Sequence, residues 1–187
     1  MENESKILAF PLRKISDFLD FTDRSATIDW EGLLDNWEKG NILFSDVCTE
    51  SKQYRKPPQQ LFLEHSILNI SSEIETLYSD LYQKKMLLSD DALECISLCH
   101  VFFRLFDSLV DLQDNPYYTE DGLTTLAHLY AADTFKRLAI MHEKRFEFSD
   151  AITICTMAVN RGMVKDGTKG GMIGRIKKLK KKLQPRA

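Results

Sequence analysis

The sequence predicts an all-α protein: antiparallel helical hairpins stacked as a short bundle, behind an irregular N-terminal segment. Three observations carry this. From residue 59 onward apolar residues recur at helical spacing, and only Ile42–Phe44 has the look of a short strand. The helical stretches are joined by short turns, which make consecutive helices pack as antiparallel neighbours. The chain has 187 residues, of which 43% are hydrophobic, enough for one buried core.

Taken in order, "RKISDFLDF" has the pattern of a short helix. "TIDWEGLLDNWEKG" has a stronger one: Trp30, Leu33, Leu34 and Trp37 fall at i, i+3, i+4 and i+7, and Gly40 stands where a helix ends. Residues 45–57 read as a linker ending in Pro57-Pro58, with the second proline suited to the first position of the next helix. The chain therefore divides into an N-terminal capping segment, 1–57, and a helical domain, 58–187. In the latter, residues 63, 67, 70, 74, 77 and 81 form a heptad-like stripe on one long helix. Ser89 offers an N-cap to a second helix running to about Leu112. Asn115-Pro116 and Gly122 punctuate a turn before the third helix, "LTTLAHLYAADTFKRLAIMHEKRF". Ser149 opens and Gly162 closes the fourth. The fifth, "KGGMIGRIKKLKKKL", carries Met172, Ile176, Leu179 and Leu183 on one stripe.

The formal charge of −3 conceals a division. Residues 1–162 carry 16 Lys+Arg against 27 Asp+Glu, a net of −11; residues 163–187 carry nine against one, a net of +8. The basic end either docks on the acidic body or meets an anionic partner. The composition excludes other classes. No apolar run approaches the roughly 20 residues that span a bilayer, and "MENESKILAF" lacks the pattern of a secretory signal. Cys48, Cys95, Cys99 and Cys155 are too few for a disulfide scaffold and read as reduced, mostly buried thiols of a cytoplasmic protein. Zinc is not expected. Cys95 and Cys99 share a helix face, His100 points roughly 100° away, and no second ligand pair completes a site.

The third and fourth helices carry a specific pattern. Phe135 is followed by Leu138 and Ala139, Phe148 stands near the turn, and Ala151 and Ala158 are seven apart. At these six positions, within about residues 132–165, the chain resembles the tetratricopeptide repeat, a 34-residue helix–turn–helix whose small residues sit where its helices touch. It departs from that pattern at His142, Cys155 and Met163. Ala92 and Cys99 repeat the alanine spacing faintly. The resemblance implies a stack in which the final helix acts as a cap, since one repeat cannot bury both faces. It also implies a ligand along the concave surface of the repeat's first helix, at Asp133, Lys136, Arg137, Ile140, Glu143 and Lys144.

"GMVKDGTKGG", residues 162–171, has the glycine content of a phosphate loop but not its order. Thr168-Lys169 reverses the required Lys-Ser/Thr, and a helix precedes it instead of a strand. It reads as a bend, with Asp166-Gly167 as a turn and Thr168 as N-cap. Lys169 and Arg175 beside the helix amides could also hold a small anion. "RIKKLKKKLQPR" then places seven cations in twelve residues, either a solvated basic face or a contact for nucleic acid or an acidic protein, with Lys169, Arg175, Lys177, Lys178, Lys181 and Lys182 as the contact residues. The stripe lacks the Trp or Phe of a membrane-surface helix.

His65, His100, His128 and His142 are scattered and join no nucleophile or acid/base motif. Trp30 and Trp37 lie on one stripe and serve either the core or a partner surface. The expectation is a non-catalytic module without metal or cofactor, an adaptor or regulator holding a peptide or protein. The alternative is a nucleic-acid-associated regulator acting through the basic C-terminal helix.

Overall fold

A computed structural model of the chain describes residues 28–42 and 56–184. These form six α-helices, and among the described residues there is no strand. The helices are α1 (Trp30–Glu38), α2 (Pro58–Gln83), α3 (Asp91–Asp111), α4 (Gly122–Lys144), α5 (Phe148–Asn160) and α6 (Gly171–Leu183), with a 3₁₀ turn at Leu112–Asp114. The expected helix at "RKISDFLDF", most of the linker, Phe44 of the short strand, and Cys48 lie outside the described residues.

Pro58 is the first residue of α2, where its missing N–H would have had no partner anyway. The helix buries Leu63, Ile67, Ile70, Ile74 and Leu81, with Leu77 half-buried, which is the stripe read from the sequence. Along it lies α3, burying Phe102, Phe103, Phe106 and Leu109 among others. Next, α4 packs against α2, α3 and α5, and so runs through the centre of the molecule. Phe135 of α4 stacks on Phe103 of α3 at 4.1 Å between ring centroids. On its other side α4 meets α5 through a three-residue turn. Ala139, Ala151 and Ala158 are all fully buried, as are Leu138 and Phe135. Small side chains let two helix backbones approach, and the large ones fill the crevice beside them. Arg161, just past α5, forks onto Asp107 of α3 at 2.7 and 2.9 Å and lies over the Phe135 ring, tying the two ends of this layer.

Both tryptophans of α1 serve packing. Trp30 is buried and its indole N–H donates to Glu73 at 2.5 Å. Trp37 is half-buried, stacks on Phe62 and donates to Ser108. The described part of the capping segment thus lays α1 across α2 and α3.

Four helices end alike. After α1, α2, α4 and α5 the chain turns through a left-handed residue (Gly40, Lys85, Phe146, Gly162), and the next amide reaches back to the third carbonyl from the helix end. The starts differ from expectation at three places. Ser89 donates its hydroxyl to Met86 O and does not cap α3. Ser149 lies inside α5, which begins at Phe148. Thr168 does not cap α6; its amide and hydroxyl both donate to Asp166, and Gly170 is the cap residue. Short hydroxyl side chains bond readily to local groups outside a helix, and at Ser89 and Thr168 such bonds won. Asp121 of α4, in contrast, forms a full capping box with Thr124.

Substituting Ala151 by leucine should overpack the α4–α5 contact and lower stability by about 1–3 kcal/mol, read by urea denaturation. Leucine at the solvent-facing Thr153 of the same helix should change it by less than about 0.5 kcal/mol.

Candidate functional site

The last helix does not merely stack behind α5. Buried Met172 and Leu179 fix it to that helix, while two of its cations reach across to α4. Arg175 donates to Glu143 at 2.9 Å and to Asp166 at 3.1 Å, and Lys182 donates to Glu143 at 2.7 Å. Lys182 also lies over the Phe148 ring. The loop before α6 is shaped for this. Gly171 has a φ of +56°, and a β-carbon there would stand 2.2 Å from the carbonyl oxygen of Val164, which accepts the Met172 amide. Asp166, with its side chain fully buried, accepts from the Thr168 amide, the Thr168 hydroxyl and Arg175. The glycine-rich bend thus surrounds a carboxylate of its own chain. Burial pushes the Asp166 carboxyl up, but the Thr168 bonds and Arg175 outweigh it and hold it below the ordinary value. Glu143 is held low in the same way: burial opposes, and Lys182 and Arg175 prevail.

These contacts make one wall of an open groove of about 310 Å³, lined by Tyr78 and Tyr82 of α2, Ile140, Glu143 and Lys144 of α4, and Arg175 of α6. The two tyrosine rings are stacked one helical turn apart, because i and i+4 share a helix face. Tyr78 is half-buried and Tyr82 exposed. Burial, with Tyr82 beside it, pushes the Tyr78 hydroxyl up to about 12 against the opposing charges of Arg137 and Arg175.

Of the six positions implied for a ligand surface, Ile140, Glu143 and Lys144 converge on this groove. Arg137 lies mostly buried between α2 and α4, with Glu75 3.4 Å away. Lys136 turns toward the glycine-rich bend, its ammonium close to Gly167. Asp133 is exposed farther along α4. Of the basic set, Arg175 and Lys182 are taken up by Glu143 and Asp166, whereas Lys169, Lys177, Lys178 and Lys181 face solvent. The two sets, read separately in the sequence, meet at Glu143. Tyr78 and Tyr82 were missed; their i, i+4 spacing beyond the apolar stripe was the available signal.

A second cluster was not foreseen. Lys56 and Glu64 form an ion pair at 2.6 Å with both side chains fully buried, and Lys56 also meets Asp121 at 2.6 Å. Gln60 donates to Glu64 and to Thr119 O, and Thr124 donates to Glu64. The network joins the start of α2 to the turn before α4. Next to it, His65 is buried, and its Nε2 has no hydrogen-bond partner among the described residues. Burial, then the Lys56 charge, pushes its imidazole down to about 4.

A third group, His142, Glu147 and Asp150, has ligand atoms within 4.8 Å of one another. It joins a helix C-terminus, which favours a cation, to a helix N-terminus, which favours anions. Glu147 already binds His142 at 2.7 Å and Arg145 at 3.1 Å, so a guanidinium supplies the positive charge there. Cys95 and Cys99 are buried one turn apart on α3, and His100 is exposed. Burial raises the Cys99 thiol well above its usual value and pushes Cys155 up to about 11. Comparison with protein-family models, with curated proteins and with solved structures finds no match to this chain.

The lowered His65 sets a pH dependence. The unfolded chain takes up a proton near pH 6.5 that the folded chain refuses until about pH 4, so stability is full above about 6.5 and falls as the pH drops through that window. Urea denaturation should show a loss of about 2 kcal/mol between pH 7 and pH 4.5, and His65→Leu should remove most of that slope.

Proposed function

We propose that the protein is a non-catalytic binding module of tetratricopeptide-like type, a cytoplasmic adaptor or regulator that holds a polar peptide segment of a partner in the groove between α2, α4 and α6. The observation that carries this is the convergence of two stacked tyrosine faces, an aliphatic side chain, a free lysine and a clamped ion pair on one open groove. Aromatic anchors within a polar rim are the ordinary make-up of a peptide-binding surface. Burial of Phe135, Leu138, Ala139, Ala151 and Ala158 supports the repeat-like pairing of α4 with α5.

The groove's chemistry favours holding over reacting. Glu143 accepts from two cations and has a lowered pKa, which makes it a weak base. Tyr78 keeps its proton far above neutral pH. Cys99 and Cys155 are buried with raised pKa values and so lack the thiolate that a nucleophile needs; the Cys95 thiol is lowered by its hydrogen bond with Cys99 but is fully buried, out of reach of a substrate. That state also fits a reducing compartment.

Peptides selected from a random displayed library on the full chain should lose at least tenfold in affinity for the Tyr82→Ala/Lys144→Ala variant, about 1.4 kcal/mol or more. Both residues are exposed, so the far-ultraviolet dichroism should not change. Selected peptides that bind wild type and variant equally would remove the groove from the account.

A further inference from the structure

The cations of α6 divide by what they touch. Arg175 and Lys182 are neutralised by Glu143 and Asp166. Lys177, Lys178, Lys180 and Lys181 are exposed, and among the described residues no carboxylate pairs with them. They are also neighbours of one another at i, i+3 and i+4, an arrangement of like charges that destabilises a helix. The macrodipole accounts for only part of this. It favours Lys180 and Lys181 in the last turn, but its effect has faded at Lys177 and Lys178. Among the described residues this positive strip is uncompensated, on a helix that is held from its other side by Met172, Leu179 and Arg175.

We propose that the outer face of α6 binds the phosphodiester backbone of double-stranded nucleic acid, without sequence preference, through Lys177, Lys178, Lys180 and Lys181. The make-up of the face decides the class. No aromatic side chain stands among the lysines to stack an unpaired base. No apolar anchor lies between them, since Leu179 is buried and Ile173 and Leu183 are exposed only toward the two ends of the helix; a peptide partner would need such anchors. The apolar stripe of α6 faces α5, so it is not offered to a membrane. What remains is bare charge at regular spacing. From Lys177 to Lys181 the helix rises about 6 Å, close to two base-pair rises along the duplex axis. The net of −11 over residues 1–162 keeps the contact small and confined to the end of the molecule where α6 lies.

The test is fluorescence anisotropy of the full chain with a labelled 20-base-pair duplex, as DNA and as RNA, between 50 and 200 mM salt. About four phosphate contacts predict a slope of log affinity against log salt of about −3 to −4, and so roughly a hundredfold loss over that range. The fourfold variant K177Q/K178Q/K180Q/K181Q should abolish binding at 50 mM salt with its dichroism unchanged. The corresponding fourfold arginine variant should retain binding, and Tyr82→Ala/Lys144→Ala should bind as wild type does, which separates this face from the groove. Equal binding to DNA and RNA, or preference for one, identifies the source of the backbone and supports the proposal either way. No duplex binding at 50 mM salt, binding that survives the glutamine variant, or tighter binding to polyglutamate or to phosphatidylserine vesicles would overturn it.

Discussion

One guanidinium sets the geometry on which both proposed surfaces depend. Arg175 is mostly buried, and it joins Asp166 in the glycine-rich bend to Glu143 at the end of α4. Without that bridge the fully buried carboxylate of Asp166 would keep only its Thr168 hydrogen bonds, and α6 would be held to α4 only by the half-exposed Lys182–Glu143 pair. With it, α6 closes one side of the groove against Tyr78 and Tyr82 of α2. The same bridge sorts the basic residues into those spent on the fold and those left facing water. A buried bridge of this kind contributes modestly when intact, because desolvation offsets most of its attraction, but losing one partner strands a buried charge. Its consequence is therefore specificity of docking more than gross stability.

Beneath that bridge lies a close-packed layer. The centre of the molecule is α4, with stacked aromatic rings toward α3 and small residues toward α5. These are two solutions to one requirement. Helices that carry large side chains at their contact stand apart, and those that carry alanine approach. The approach at Ala139, Ala151 and Ala158 brings α5 close to α4, and the bend that follows returns α6 to the α4 side. Alanine spacing and groove geometry meet here: small residues line the α4–α5 contact, and the bend after α5 delivers Arg175 to Glu143. A polar counterpart holds the opposite end, where Lys56, Glu64 and Asp121 fix the start of α2 to the turn before α4.

Much of this was legible in the sequence because helices announce themselves by period. The stripe of α2, the tryptophan pair of α1, Pro58 at a helix start and the alanines of α4 and α5 all obey local rules. What escaped had physical causes. Two of the four left-handed stops were hidden because Lys85 and Phe146 occupy positions where glycine is the usual sign. Ser89 and Ser149 resemble caps, yet neither hydroxyl caps a helix. The buried pair Lys56–Glu64 was invisible because charged residues in a linker or on a helix read as solvated, and Asp121 and Thr124, about 60 residues away, complete the network that makes burial tolerable. The meeting of the α4 stripe with the basic helix escaped for the same reason, since no local pattern records which carboxylate a distant arginine will find.

The clamp is tested most directly by a double-mutant cycle between Glu143 and Arg175, using E143Q, R175M and the double variant, with stability read by urea denaturation at pH 7. The account predicts that the two losses fail to add, with a coupling of about 1 kcal/mol or more. Losses that sum to within about 0.3 kcal/mol would mean that α6 does not dock on α4 through this pair, and the groove would lose its third wall.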